Sequence, residues 1–220
     1  MKTTNIILLG IGGQGMLTMM EMLAMAAESA GEEVRVLSRV SLARLGGSGM
    51  CHVRLGPSAS PAIPSGEADI LLSLEMSEAL RALPLAREGA LAFISAYRRL
   101  PVAAGVTGMR YPTRDEIEAT LGEAGVTAMF IPEVLPTVAN EDTPANETNG
   151  ADTGGIDSAD DAADSRVNIV MLGVLAGYTH LLPRSSFEQA IARRLPSFAR
   201  QNARAFQEGW RYGEALAKNA

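Results

Sequence analysis

The chain has 220 residues, 47% of them hydrophobic, which suffices for a complete core and fits one domain or at most two. Its net charge is −6, and no basic stripe interleaved with aromatic residues is present, so nucleic acid is not an expected partner. Cys51 is the only cysteine and there are two histidines, which excludes an internal disulfide or a cluster ligated by cysteines of this chain alone and argues against a self-contained zinc site.

No apolar run reaches the ~18 residues that cross a bilayer. The N-terminus has one lysine, a short apolar run and then glycines, without the small-residue cleavage site of a signal peptide. A single cysteine also fits a reducing compartment. We therefore expect a cytoplasmic protein without membrane contact.

A strand, a glycine turn and a helix open the chain. Ile6 to Leu9 form an apolar run without polar alternation, typical of a strand buried on both faces of a parallel sheet. The G-x-G-x-x-G spacing follows, and a helix is predicted over 16–29, with Gly31 at its left-handed end. Such a turn leaves the N–H groups of the helix N-terminus open to an anion; tight packing of the helix on the sheet is the alternative interpretation.

A second strand over 34–38 completes a βαβ unit. An NAD site of the Rossmann type has an acid after this strand to bind the ribose hydroxyls, but Ser38 and Arg39 stand here. NAD is therefore disfavoured. Arg39 is suited to bind the 2′-phosphate of NADP, but a solvated arginine in a loop explains this residue equally well.

A second glycine segment follows at 46–49, and residues 50–55 alternate as a strand does. Cys51 and His52 are neighbours in this strand, so they point to opposite faces and do not form a thiolate–imidazole pair. We expect Cys51 to be a small buried residue.

Strands and helices alternate through the rest of the chain. Strands are predicted at 68–74, 91–95 and 126–131, with a helix at 75–83 that Pro84 ends and a helix at 114–121 capped by Thr113 with Glu116. Three C-terminal helices follow: an apolar one at 167–178, one capped by Ser185 or Ser186 and broken by Pro196, and an amphipathic one at 198–217. This order predicts an α/β fold, a three-layer Rossmann-like domain with a mainly parallel sheet and C-terminal helices.

Residues 140–165 hold eight acidic residues and no basic one. Ile156 is the single large apolar residue, too little to offset the entropy of ordering the segment. We predict one domain over 1–220 with a disordered acidic insertion at 140–165, a motif for a cationic partner being the alternative.

Six ordered stretches resemble one family. They are Gly10 to Gly15, Gly46 to Ser48 with His52 to Gly56, Ser60 to Pro64, Ala68 to Leu72 with Glu75, Asn168 to Gly173, and Asn202 with Ala205, Phe206 and Gly209. Outside the acidic segment, the chain resembles the gamma subunit or domain of 2-oxoacid:ferredoxin oxidoreductases, and most closely the small subunit of the indolepyruvate enzymes. It departs from the family at Arg44 and Leu45, where Gln-Arg is usual, and at Arg39, where an acid is common.

The resemblance implies a chemistry that this chain does not carry out alone. Such complexes oxidise a 2-oxoacid with coenzyme A and ferredoxin to an acyl-CoA and carbon dioxide, using thiamine diphosphate and iron–sulfur clusters. The resemblance places both cofactors on a larger partner subunit, with coenzyme A as co-substrate, ferredoxin as electron acceptor and an aryl pyruvate as substrate. We expect this chain to have no catalytic residue, metal site or bound cofactor of its own, and to be inactive in isolation.

We expect the subunit to support assembly and to bind an anion, such as the coenzyme A phosphates, at its glycine turns. The candidate binding residues are Gly10, Gly12, Gly13, Gln14, Gly15, Arg44, Gly46, Gly47 and Ser48. Two alternatives are a stand-alone NADP-dependent oxidoreductase that uses Arg39, and a purely structural subunit whose glycines close an interface.

Overall fold

The computed structural model describes residues 2–40, 47–99, 110–133, 135 and 166–219. Six strands form one sheet: β1 (Thr4–Ile11), β2 (Val34–Val40), β3 (Ser48–Leu55), β4 (Ala68–Ser73), β5 (Ala86–Ser95) and β6 (Thr127–Ile131). They lie in the order β2–β3–β1–β4–β5–β6.

The sheet is mainly parallel, as predicted. Strands β1, β4, β5 and β6 pair in parallel, and β3 runs antiparallel to both β1 and β2. The predicted unit of β1, helix and β2 is therefore split by β3. The connection from β2 to β3 spans only residues 41–47, which is too short for the crossover that a parallel neighbour needs.

In the described parts of the chain, five α-helices accompany the sheet: α1 (Met16–Ser29), α2 (Arg114–Glu123), α3 (Val167–Thr179), α4 (Arg184–Arg194) and α5 (Ala199–Lys218). The predicted helix at 75–83 is a 3-10 helix over Ser77–Leu85, and it includes Pro84. The prediction that Pro84 ends it was wrong, because the N–H of Ala86 still donates to the carbonyls of Ala82 and Leu83. Neither Ser185 nor Ser186 caps α4, since Pro183 stands at the N-cap.

The β1 run is buried on both faces, which confirms its interpretation. Ile6 and Leu8 contact the core formed with α1, α3, α4 and α5, whereas Ile7 and Leu9 contact the core formed with the 3-10 helix and α2. All four side chains are fully buried. The result is the predicted three-layer arrangement, with helices on both faces of the sheet.

The predicted cap of α2 is present. The Thr113 hydroxyl accepts from the Glu116 N–H at 3.2 Å, and the Glu116 carboxylate accepts from the Thr113 N–H at 2.7 Å. A hydrogen bond from Arg110, with the Thr113 N–H, lowers the pKa of Glu116 to about 2. The two capping residues thus satisfy two N–H groups at the start of the helix.

Helices α3 and α5 touch backbone to backbone through glycines one turn apart. A Cβ placed on Gly177 would lie 2.1 Å from the Trp210 carbonyl oxygen, and one on Gly209 would lie 2.1 Å from the Val170 carbonyl oxygen. Gly173 and Gly213 repeat this contact at 2.4 and 2.3 Å. Only glycine permits so close an approach, so these glycines hold α3 and α5 in direct backbone contact.

The predicted disordered insertion at 140–165 lies outside the described residues. Within the described ranges, no helix combines the length and apolarity needed to cross a bilayer.

Candidate functional site

The candidate site is the point where the chain leaves the carboxyl ends of β1 and β4, which we call the crevice. These strands are parallel neighbours, but β1 leads into α1 on one face of the sheet and β4 leads into the 3-10 helix on the other. Ligands of open α/β sheets bind where the chain departs to opposite faces in this way. The glycine turn borders one side of the crevice, and Glu75 follows the strand on the other.

The structure brings the two glycine segments together. Strands β1 and β3 pair Gly10 with Gly49 and Ile11 with Ser48, and the Gly12 N–H then donates to the Gly47 carbonyl at 2.8 Å. The antiparallel course of β3 explains the contact, because its first residues lie at the carboxyl end of β1. Arg44 and Gly46 lie outside the described residues.

Gln14 holds the glycine turn from within. Its side-chain oxygen accepts from the Ile11 N–H at 2.9 Å, and its amide nitrogen donates to the Leu74 carbonyl at 2.9 Å. The side chain is 1% exposed. Gln14 therefore connects the end of β1 to the end of β4, and its amide is engaged within the chain.

Two glycines of the motif are explained by packing. Gly15 adopts a left-handed conformation with φ 74° at the N-cap of α1, and a Cβ there would lie 2.4 Å from the Asn168 side-chain nitrogen. That nitrogen donates to the Gly15 carbonyl at 3.2 Å. A Cβ on Gly10 would lie 3.1 Å from the Gln14 side-chain oxygen. Contacts within the chain are therefore enough to exclude larger side chains at Gly10 and Gly15, and no ligand is needed to explain these two glycines.

The other two glycines are accessible. Gly12 is half-buried and Gly13 is exposed, with Gly13 at φ 102°. The adjoining N-terminus of α1 has neither a side-chain cap nor an acidic residue in its first turn, and the same holds for α3, which begins beside Gly15 through Asn168. The N-termini of α1 and α3 thus lie next to each other at Gly15, and helix N-termini favour negative charge.

Ser48 does not face the crevice as a free hydroxyl. It donates to the Glu78 carboxylate at 2.7 Å, and Glu78, 3% exposed, pairs with Arg81. This contact ties the start of β3 to the 3-10 helix. Two candidate binding residues of the second glycine segment are described. Gly47 accepts a hydrogen bond from the first glycine turn, and Ser48 connects β3 to the 3-10 helix through Glu78.

A buried carboxylate, Glu75, follows the carboxyl end of β4. Glu75 is 1% exposed and accepts five hydrogen bonds from three segments: the Ser77 N–H and hydroxyl, the Glu78 N–H, the Arg99 N–H and the Tyr111 hydroxyl. Burial, then the bond to Glu75, raises the pKa of Tyr111. From the sequence, Glu75 is placed at the start of a predicted helix and in a family stretch without a role for its carboxylate, and Tyr111 is not singled out. An acid directly after a buried strand was the available signal.

Arg39 lies far from the place where an NADP phosphate would need it. In a Rossmann site the second strand neighbours the first, but here β3 separates β2 from β1. Two strand spacings of about 4.8 Å then lie between them. This position weakens the interpretation as a nicotinamide-dependent enzyme.

Cys51 and His52 point to opposite faces, as predicted. Cys51 is fully buried, and burial raises its pKa to about 11, so it is not a thiolate nucleophile. The His52 Nδ1 accepts from the Ile63 N–H at 3.1 Å, and burial together with Arg39 lowers the His52 pKa. Among the described residues, no group of three or more histidine, cysteine or acidic side chains is placed to hold a metal.

Two of the stretches that resemble the family, 52–56 and 60–64, contact each other in the structure. Arg54 donates to the Ser60 and Ala62 carbonyls at 3.2 and 3.1 Å and to the Asn5 side chain at 2.9 Å. With the bond between His52 and Ile63, these contacts fasten the loop 57–66 to β3 and β1. We therefore assign this pair of motifs to the architecture of the sheet.

Comparison with known sequences identifies relatives over most of the chain. The sequence pattern of the pyruvate ferredoxin/flavodoxin oxidoreductase family matches residues 5–212. The indolepyruvate oxidoreductase subunit IorB of Archaeoglobus fulgidus is 33% identical over 174 residues, which is 79% of this chain and 76% of that protein. The IorB subunit of Thermococcus kodakarensis is 39% identical over 124 residues, 56% of this chain and 61% of that protein.

Solved structures share the fold at low identity. The keto/oxoacid ferredoxin oxidoreductase gamma subunit of Geobacter sulfurreducens has a TM-score of 0.59 at 19% identity, over 96% of this chain and 99% of that chain. The 2-oxoglutarate:ferredoxin oxidoreductase of Magnetococcus marinus has a TM-score of 0.64 at 17% identity, over 100% of this chain and 32% of that chain. The fold and the match over 5–212 agree with the resemblance seen in the motifs, and the chain belongs to the pyruvate ferredoxin/flavodoxin oxidoreductase family.

Proposed function

We propose that this chain is the small subunit of a cytoplasmic complex that oxidises an aryl pyruvate such as indolepyruvate. One molecule of 2-oxoacid and one of coenzyme A give an acyl-CoA, carbon dioxide and one proton, and the two electrons released pass to ferredoxin. The observation that carries the proposal is the 33% identity to the Archaeoglobus fulgidus indolepyruvate oxidoreductase subunit over 79% of this chain.

The reaction needs a larger partner subunit. Thiamine diphosphate supplies the carbanion chemistry and iron–sulfur clusters carry the electrons, and both belong to the partner in this proposal. A chain with one cysteine does not provide the cysteine set of a cluster, and that cysteine is buried with a raised pKa. The isolated chain is therefore inactive under this proposal, and it contributes to assembly and ligand binding.

The ligand proposed for the glycine turn is an anion, with the coenzyme A phosphates as the candidate. Gly13 is exposed and Gly12 is half-buried, and the N-termini of α1 and α3 meet at Gly15 with no acidic residue in the first turn of either helix. The structure of the Magnetococcus marinus relative is described with coenzyme A and succinyl-CoA bound, which supports this choice of ligand.

Replacing Gly12 by aspartate in the assembled complex is expected to raise the KM for coenzyme A at least about tenfold, since a like charge placed beside a bound anion costs several kcal/mol. The KM for the 2-oxoacid should stay unchanged. Steady-state kinetics with each substrate varied in turn gives both values.

Gly12→Ala is the matched control, because it adds a Cβ without charge. A coenzyme A KM that is equal in the aspartate variant and the wild type, with assembly intact, would remove the ligand role. The contacts of Gly10, Gln14 and Gly15 within the chain favour the structural subunit as the alternative in that case.

A further inference from the structure

Strand β2 is an edge of the sheet, and no other described strand uses its outer hydrogen-bonding side. It stands at one end of the strand order, and among the described residues it pairs with β3 alone. Seven residues form the strand, without a proline or an acidic residue. Edge strands of this kind are templates for pairing with another chain.

The pairing pattern identifies the free backbone groups. In an antiparallel ladder, residues that bond to the neighbour alternate with residues that face away. The Glu33 carbonyl accepts from the Gly56 N–H at 2.7 Å, one position before Val34 pairs with Leu55. Odd-numbered residues of β2 therefore bond to β3, and the N–H and C=O groups of Val34, Val36 and Ser38 point off the edge.

The opposite side of β3 agrees with this assignment. Its residue Gly47 accepts from Gly12 of the β1 segment, so odd-numbered residues of β3 bond to β1 and even-numbered ones to β2. The even-numbered Arg54 and His52 lie opposite Arg35 and Leu37. Two independent hydrogen bonds thus give the same orientation for β2.

The side chains along this edge are exposed and basic. Val36 is 37% exposed, an unusual value for a large aliphatic residue in this chain, and Ser38 is exposed as well. Arg35 and Arg39 are both exposed and lie on the same face of the strand, four residues apart. The edge therefore combines outward-pointing backbone groups, an exposed valine side chain and two positively charged side chains.

A second copy of this chain is disfavoured in the register that is centred on Leu37. Antiparallel pairing of two β2 strands centred on Leu37 would place Arg35 of each strand opposite Arg39 of the other. Like charges directly opposite each other destabilise a strand pair. The charges instead favour a strand that carries carboxylates.

We propose that β2 is extended by a strand of the larger partner subunit, with carboxylates opposite Arg35 and Arg39. The inference rests on the proposed function, since it takes the larger subunit as the occupant. Backbone hydrogen bonds from Val34, Val36 and Ser38 supply the pairing, and the two arginines select the acidic partner and its register.

Ser38→Pro tests the pairing directly. Proline removes the outward N–H of residue 38 and leaves every bond from β2 to β3, and the residue before it is already extended. In co-expression with the tagged larger subunit, we expect the dissociation constant of the complex to rise at least about tenfold. Ser38→Thr, which keeps the N–H, should bind as the wild type does.

A second variant tests the charges and does not depend on proline. Arg35→Glu combined with Arg39→Glu is expected to weaken assembly, with the larger loss at low ionic strength. Thermal melts of each isolated chain show whether the variants fold. Reduced binding by folded variants supports the inference.

Three results would overturn it. Wild-type affinity in both variants would show that the larger subunit does not use β2, while the proposed function would stand. A doubled mass of the wild-type chain that Ser38→Pro abolishes would identify a second copy as the occupant. A wild-type chain that never binds the larger subunit would contradict both the inference and the proposed function.

Discussion

Gly209→Ala is expected to lower the free energy of unfolding by about 3 kcal/mol, the upper range for overpacking a well-packed core. The new Cβ would lie 2.1 Å from the Val170 carbonyl oxygen and 3.1 Å from the Gly173 Cα. Both are backbone atoms, so no rotamer change relieves the contact, and α3 must move away from α5. The loss should exceed the gain of up to ~1 kcal/mol that alanine brings to a helix interior. Denaturant unfolding of the purified chain gives the value.

Gly122→Ala is the matched control within the same chain. Gly122 lies inside α2, and a Cβ there meets nothing within 4 Å. This variant is expected to be as stable as the wild type or more stable by up to ~1 kcal/mol. If both alanine variants behaved alike, the backbone contact between α3 and α5 would be refuted.

Glu75→Ala is expected to destabilise the chain by about 3–5 kcal/mol, as the loss of a buried charged hydrogen-bonding group does. Five donors from three segments would lose their acceptor at once. Because Glu75 follows β4, whose end Gln14 connects to the glycine turn, assembled complexes of this variant should also show a weakened ligand site. Thermal or denaturant unfolding measures the main effect.

Two milder variants separate the parts of this cluster. Glu75→Gln keeps the shape and one acceptor oxygen, so its loss should be smaller than that of alanine. Tyr111→Phe removes one donor and should cost about 1 kcal/mol. A Glu75→Ala chain that unfolds at the wild-type denaturant concentration would contradict the account of this carboxylate.

The raised pKa of Tyr111 determines whether the stability of the folded chain rises or falls with pH in the alkaline range. The folded chain retains the phenol proton at a pH where the unfolded chain releases it, about pH 10 and above. Stability from this group is complete below that pH and decreases as pH rises further. Tyr111→Phe should remove this part of the alkaline sensitivity.

Local features were predictable from the sequence because their causes lie within a few residues. The apolar composition of Ile6 to Leu9 predicts a strand that is buried on both faces, as observed. Thr113 and Glu116 form the helix cap that their spacing predicts. The insertion of β3 between β1 and β2 was not predicted, since strand order depends on pairing between distant segments. The glycine contacts of α3 with α5 depend in the same way on residues about 35 positions apart.

The glycine motif shows this limit most clearly. Gly15 is required by Asn168, which lies 153 positions away in the chain, whereas Gly13 is exposed at the mouth of the crevice. In the sequence the two glycines look alike. The structure divides the motif into a packing part, with Gly10, Gln14 and Gly15, and an accessible part, with Gly12 and Gly13.

We infer that this chain works as the small subunit of a larger oxidoreductase. Affinity purification of the tagged chain from its native host, with mass spectrometry and cofactor analysis of what is retained, tests this inference. We expect a larger subunit with thiamine diphosphate and cysteine-ligated iron–sulfur clusters, in a complex that reduces ferredoxin with an aryl pyruvate and coenzyme A. A chain that purifies alone and binds NADPH by itself would contradict it.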